Sequence, residues 1–229
     1  IATRNLVTCA PQDKPEEVFC RPECTGLHQI PIRDGTKIVA MLEKSEDSKP
    51  TVSCRRIDEE MLISSSTGIL AYIHLAAGYR YHLVVNQNTI DGIVTRSDLL
   101  KLPVRVVLFA FLTHLEASMT EAISAQCPNE SWLEHLTDPR KKRVCEEFQN
   151  GKRINTYISD DRLLYTQWCD KRDIIARAPA FAALVHDTNF TEDLKELEDI
   201  RNQVMHANEY LADASKLSNT VICASDWIN

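Results

Sequence analysis

The chain has 229 residues, 44 % of them hydrophobic and 26 % charged, which excludes a disordered polymer and leaves enough length for two compact units with separate cores. Its formal net charge of −7 is uneven: residues 1–102 hold 12 Lys and Arg against 13 Asp and Glu, and the remainder holds 14 against 20. An acidic C-terminal part excludes a surface that coats nucleic acid generally, because such binding neutralises many phosphates with Lys and Arg. Any RNA contact must then be local. Arg140-Lys141-Lys142-Arg143 and Lys152-Arg153 are the basic runs available, with a solvated helix face as the default reading of both.

The longest apolar run, Val104 to Leu112, is interrupted by Arg105 and falls short of the roughly 20 residues a bilayer needs. The first residues lack the charged-then-apolar pattern of a secretory signal, so the expectation is a cytoplasmic protein without a membrane partner. Cys9, Cys20, Cys24, Cys54, Cys127, Cys145, Cys169 and Cys223 are scattered without a Cys-x-x-Cys pair, which predicts reduced, partly buried thiols and no metal site.

In chain order, Gln29 to Leu42 reads as strand, turn at Asp34-Gly35, strand. Ile63-Ser64-Ser65 reads as a strand end, Ser66 or Thr67 as the cap of a helix running to about Ala77, and Gly78 as the glycine that closes it. A second hairpin is predicted from Tyr81–Val85 and Gly92–Thr95 across the loop Asn86–Asp91, followed by a short helix from Ser97. Strand–helix–strand–strand–helix thus occurs twice, the first time imperfectly. From Pro103 the spacing is helical. Val104, Val107, Leu108, Phe111, Leu112 and Leu115 begin a stripe that ends at Cys127-Pro128. Further helices are predicted from Asn129 or Ser131 through Leu136, around Val144 and Phe148, from Leu163 to Ala176, and from a Thr191 cap with Leu194, Leu197, Ile200, Val204 and Met205 as one buried stripe. The expected layout is an α+β domain over residues 1–102 and an all-α helical bundle over residues 103–229.

Gly92-Ile93-Val94-Thr95-Arg96-Ser97-Asp98 resembles the closing motif of CBS domains, in which a strand ends in a Gly-apolar-apolar-Thr-x-x-Asp turn into a helix. A tandem CBS module binds adenine nucleotides between its repeats. The resemblance implies AMP or ATP as a regulatory ligand, with Thr95 and Asp98 at the matching positions and Ile63, Ser64 and Ser65 lining the site. The chemistry is compatible: the Thr95 hydroxyl suits a phosphate, Asp98 can accept from ribose hydroxyls, and Arg96 can neutralise phosphate charge. The plain alternative is that Thr95 and Asp98 cap a helix. The first repeat has no Thr-x-x-Asp, so one nucleotide site is expected rather than two.

Arg201-Asn202-Gln203-Val204-Met205-His206, led in by Asp193–Ile200, resembles the Arg-x4-His signature of HEPN domains, helical bundles that dimerise and often act as metal-independent ribonucleases. Leu112–Ile123 is similar to that family's opening helix, with its acidic residue at Glu116. Cleaving RNA without a metal needs an acid or base that titrates near neutrality, which suits His206. It also needs a fixed cation for the transition-state charge, which suits Arg201, while Asn202 lies one turn before His206 and can orient it. On an ideal helix Arg201 and His206 stand about 140° apart. A homodimer pooling both copies answers that geometry. Otherwise Arg201 pairs with Glu198 or Glu116, and His206 is a helix-end residue.

These readings combine into a nucleotide-regulated endoribonuclease with RNA as substrate, placed by resemblance alone among toxin-like or defence systems. The alternative is a nucleotide-responsive scaffold whose bundle dimerises or binds a partner protein.

Overall fold

The computed structural model describes residues 1–45, 51–154, 161–186, 190–205, 217 and 221, with the backbone alone at 186. The protein is mixed α+β and divides into two compact units, Ile1–Val104 and Arg105–Asn229.

The first unit holds two three-stranded sheets. The strands β1 (Gln29–Asp34), β2 (Lys37–Lys44) and β3 (Val52–Arg56) form an antiparallel meander. The second sheet runs β4 (Leu62–Ser64), β5 (Tyr81–Asn86) and β6 (Thr89–Thr95), with β4 parallel and β6 antiparallel to β5. The two hairpins repeat with a displacement of 52 residues. Gln29 pairs with Glu43 as Tyr81 pairs with Thr95, and the register shifts between Ile32 and Arg33 as it does between Val84 and Val85. Both turns contain a residue in the left-handed region, Gly35 (φ +57°) and Gln87 (φ 53°). Lys44 N–H donates to His28 O as Arg96 N–H donates to Arg80 O. Outside the hairpins the correspondence continues. Cys9 bridges Ile32 in parallel, as β4 lies on β5, and Thr3 bridges Ile93 antiparallel, as β3 lies on β2.

The helix preceding each hairpin differs in length, four residues in α1 (Pro15–Val18) and seven in α2 (Ile69–Leu75). Gly68 occupies the N-cap of α2, not Ser66 or Thr67, and Gly78 lies outside the left-handed region, so neither predicted terminator acts as expected. The second hairpin is also tighter than predicted, because β6 begins at Thr89 rather than Gly92. β2 is buried on both faces. Leu42 joins Ile30, Val18, Cys9 and Cys24 under α1, while Met41 on the opposite face packs with Met61, Tyr81 and Leu83. The Tyr81 hydroxyl donates to Glu43 at 2.6 Å across that second cluster.

The second unit is helical: α3 (Leu102–Gln126, beginning just before the boundary), α4 (Asp138–Ile154), α5 (Trp168–Arg177), α6 (Ala182–His186) and α7 (Phe190–Met205). By length and mean hydropathy (1.4 over its most apolar window) α3 could cross a bilayer. Its buried residues Leu108, Leu112, Leu115, Met119 and Ile123 nevertheless follow the one-sided spacing of a core helix. Four expectations need correction. Asn129 and Glu130 adopt left-handed conformations, so Ser131–His135 is a single 3-10 turn rather than a helix. The segment 163–176 is split, because the Gln167 side chain and Asp170 form a capping box that starts α5 at Trp168. On α7, Leu194, Leu197 and Ile200 are buried but Met205 is 54 % exposed, so the apolar stripe ends before it. Thr191 lies inside the first turn of α7.

α5 is the hub of this unit. Trp168 donates its indole N–H to the Leu194 carbonyl of α7 at 3.2 Å, and Ile174 and Ile175 are buried beside it. Asp170, Lys171 and Arg172 are consecutive, so the helix turns each toward a different neighbour: Arg140 of α4, Glu116 of α3 and Glu198 of α7.

Candidate functional sites

Thr95 ends β6 and caps the 3-10 turn Arg96–Leu100. Its backbone N–H donates to Asp98 Oδ2 at 2.6 Å and its hydroxyl lies 3.1 Å from the same oxygen, while Asp98 Oδ1 sits 2.6 Å from Lys101 Nζ. Both Asp98 oxygens are therefore engaged, and the side chain is 8 % exposed. Arg96 donates from Nε to Ala76 O and from Nη2 to Ala77 O, each at 3.0 Å, so its guanidinium neutralises the carbonyl end of α2. Arg96 also lines the cavity described next.

Thr95, Arg96, Ser97 and Asp98 line a cavity of about 540 Å³, together with His28 and Arg80. Ile63, Ser64 and Ser65 line a different one of about 130 Å³, beside Tyr72. The extended N-terminal segment serves both, with Thr3 on the first and Ala2 and Arg4 on the second. The residues grouped from sequence into one nucleotide site are thus divided between two cavities. This N-terminal segment, which carries no sequence signal, lines each of them.

In the helical unit, Glu116 of α3 receives two cations. Lys171 Nζ lies 2.9 Å from Oε1, and Arg201 Nε of α7 lies 3.6 Å from Oε2. Lys171 is 4 % exposed and also donates to Thr166 O at 3.0 Å, whereas the Arg201 side chain is 36 % exposed. Of the two partners named for a structural Arg201, Glu116 is the one it meets, and Glu198 is paired with Arg172. Asn202 is exposed, and His206 lies outside the described residues. The structure thus brings Arg201 to Glu116, both named from sequence, and adds the buried Lys171. The only sequence signal for Lys171 was the run Asp170-Lys171-Arg172-Asp173 between Trp168 and Ile174, which by itself reads as a solvated face.

The basic run of α4 is ion-paired, only Arg140 to a buried partner. Arg140 is held by Asp170 through Nε–Oδ1 and Nη2–Oδ2, both at 2.6 Å. Lys141, Lys142 and Arg143 face Asp138, Glu146 and Glu147 on their own helix at 3.5, 3.9 and 2.7 Å. The bidentate contact to Asp170 raises the Arg140 pKa.

Comparison with protein-family models, with curated proteins and with solved structures returned no match for this chain.

Proposed function

We propose that the chain is an adenine-nucleotide-responsive, metal-independent endoribonuclease of the HEPN type, with a CBS-like first unit. What supports the reading is that α3 and α7, the two helices singled out by the resemblance, meet at Glu116 and Arg201, with the Arg201 side chain still 36 % exposed; the pair itself is equally what a structural Arg201 would make. In the proposed reaction His206 takes the proton from a ribose 2′-hydroxyl while water protonates the departing 5′-oxygen, or delivers the proton to that oxygen while water takes the first. The 2′-oxygen bonds to phosphorus as the P–O5′ bond breaks, leaving a 2′,3′-cyclic phosphate and a 5′-hydroxyl. Arg201 stabilises the added negative charge on the phosphate, and Asn202 orients the imidazole. A homodimer supplies one His206 and one Arg201 to each phosphate. The cavity beside Thr95 and Arg80 has the volume for a mononucleotide, and AMP or ATP regulates by preferring one dimer arrangement.

The test is incubation of the purified protein with labelled RNA in EDTA, with and without AMP or ATP, beside Arg201→Ala and His206→Ala. Cleavage that both variants lose supports the enzyme. No cleavage under any nucleotide, or equal cleavage by the variants, removes it. A second reading, a non-catalytic nucleotide-responsive scaffold that dimerises or binds a partner protein, is favoured by the pairing of Arg201 with Glu116 within the fold. Retained AMP affinity without RNA cleavage supports it.

A further inference from the structure

Resting on the reading of Arg201 as the phosphate-stabilising group, we infer that Lys171 is a positioning residue: acting through Glu116, it keeps the Arg201 guanidinium available to a phosphate. Glu116 offers one negative charge to two cations. Lys171 is nearly removed from water, and a buried cation without a counter-charge is strongly unfavourable, so its claim on Glu116 takes precedence. The distances agree: 2.9 Å to Lys171 is a hydrogen bond, whereas 3.6 Å from Oε2 to Arg201 Nε is an ion pair beyond hydrogen-bond length. The cluster of two cations and one carboxylate keeps a net positive charge, and its more exposed member is Arg201.

Without Lys171 the carboxylate would be free to close on Arg201 in the bidentate geometry that guanidinium and carboxylate favour. A phosphate would then compete with Glu116 for the same donors. Removing both Lys171 and Glu116 charges abolishes that competition and leaves no buried unpaired ion, so the double variant should release Arg201. A purely structural role for Lys171 would instead leave the Arg201 Nε–H resonance unmoved in folded Lys171→Met.

The experiment uses the full chain and a short fluorescein-labelled 2′-O-methyl oligoribonucleotide, which lacks the reacting hydroxyl, with binding followed by anisotropy at low salt. Lys171→Met is expected to weaken binding about tenfold. Lys171→Arg should stay close to wild type, and Glu116→Gln combined with Lys171→Met should return toward it. Wild-type affinity in folded Lys171→Met, or a double variant as weak as Lys171→Met, overturns the inference. If Lys171→Met does not fold, the double variant and Lys171→Arg decide by the same criteria. Failure of the wild type to bind the oligomer, or binding indifferent to Arg201→Ala, removes the RNA reading instead. The positioning role is then read from the Arg201 Nε–H resonance by ¹⁵N–¹H NMR. It should move in Lys171→Met and hold in Lys171→Arg, and an unmoved resonance overturns the inference.

Discussion

The Thr3 carbonyl oxygen lies 3.1 Å from the point where a Cβ would sit on Gly92, and hydrogen bonds of 2.8 and 3.0 Å join Thr3 to Ile93 next door. Gly92 therefore permits the N-terminal segment to lie on β6. Gly92→Val should push that segment away and cost about 1–3 kcal/mol. Urea unfolding checks the loss, and limited proteolysis should show earlier cutting near Thr3. An unchanged midpoint together with an unchanged digestion pattern contradicts the packing.

Arg96 holds the carbonyl end of α2 through Ala76 O and Ala77 O. Arg96→Ala should lower stability by about 1–2 kcal/mol in the absence of any nucleotide, through two lost charge-assisted hydrogen bonds and the lost complement to the helix end. Thermal melting of the nucleotide-free protein measures this. A variant that melts like wild type but loses AMP affinity would return Arg96 to phosphate binding.

Asp170 is 2 % exposed, holds Arg140 and caps α5 at Gln167 N. Asp170→Asn should cost about 2–4 kcal/mol, because it breaks a largely buried pair from one side. Denaturant unfolding should show a lower midpoint with an unchanged slope. A loss below about 0.5 kcal/mol would mean the pair is dispensable.

His82 is 1 % exposed, packed edge-on by Tyr72 and Tyr79, and its Nδ1 has no hydrogen-bond partner among the described residues. Burial alone lowers its pKa below the ordinary 6.5. The unfolded chain then takes up a proton at higher pH than the folded one. The contribution to stability is full above pH 6.5 and is lost as pH falls through the depressed folded value. His82→Phe should reduce the stability difference between pH 7.5 and pH 5.5, measured by urea unfolding. An identical difference in wild type and variant would place the proton elsewhere.

The hairpins were legible because Asp34-Gly35 and the apolar runs around the second turn are local signals. The loop Asn86–Asp91 was read too long, since nothing in a glutamine announces the left-handed conformation of Gln87. The same blindness applied at Asn129 and Glu130, where two left-handed residues replace the expected helix start. The helices from Leu102, Asp138 and Phe190 fall in segments of helical spacing, with the apolar stripe of the last ending before Met205. At the helical site, Glu116 and Arg201 are recognisable from the sequence and Lys171 is not. Ile63–Ser65 and Thr95–Asp98 were joined in anticipation and lie on separate cavities.

The sequence by itself determined an α+β part followed by a helical part, the internal repeat and the positions of its hairpins, because periodicity and turn residues act over a few neighbours. Only the tertiary structure decided which charges meet. Asp170, Lys171 and Arg172 look alike as a solvated run, and their partners Arg140, Glu116 and Glu198 lie on three other helices. Ion pairing of this kind depends on distance in space and on exclusion from water, and neither is written in the spacing of residues along a chain.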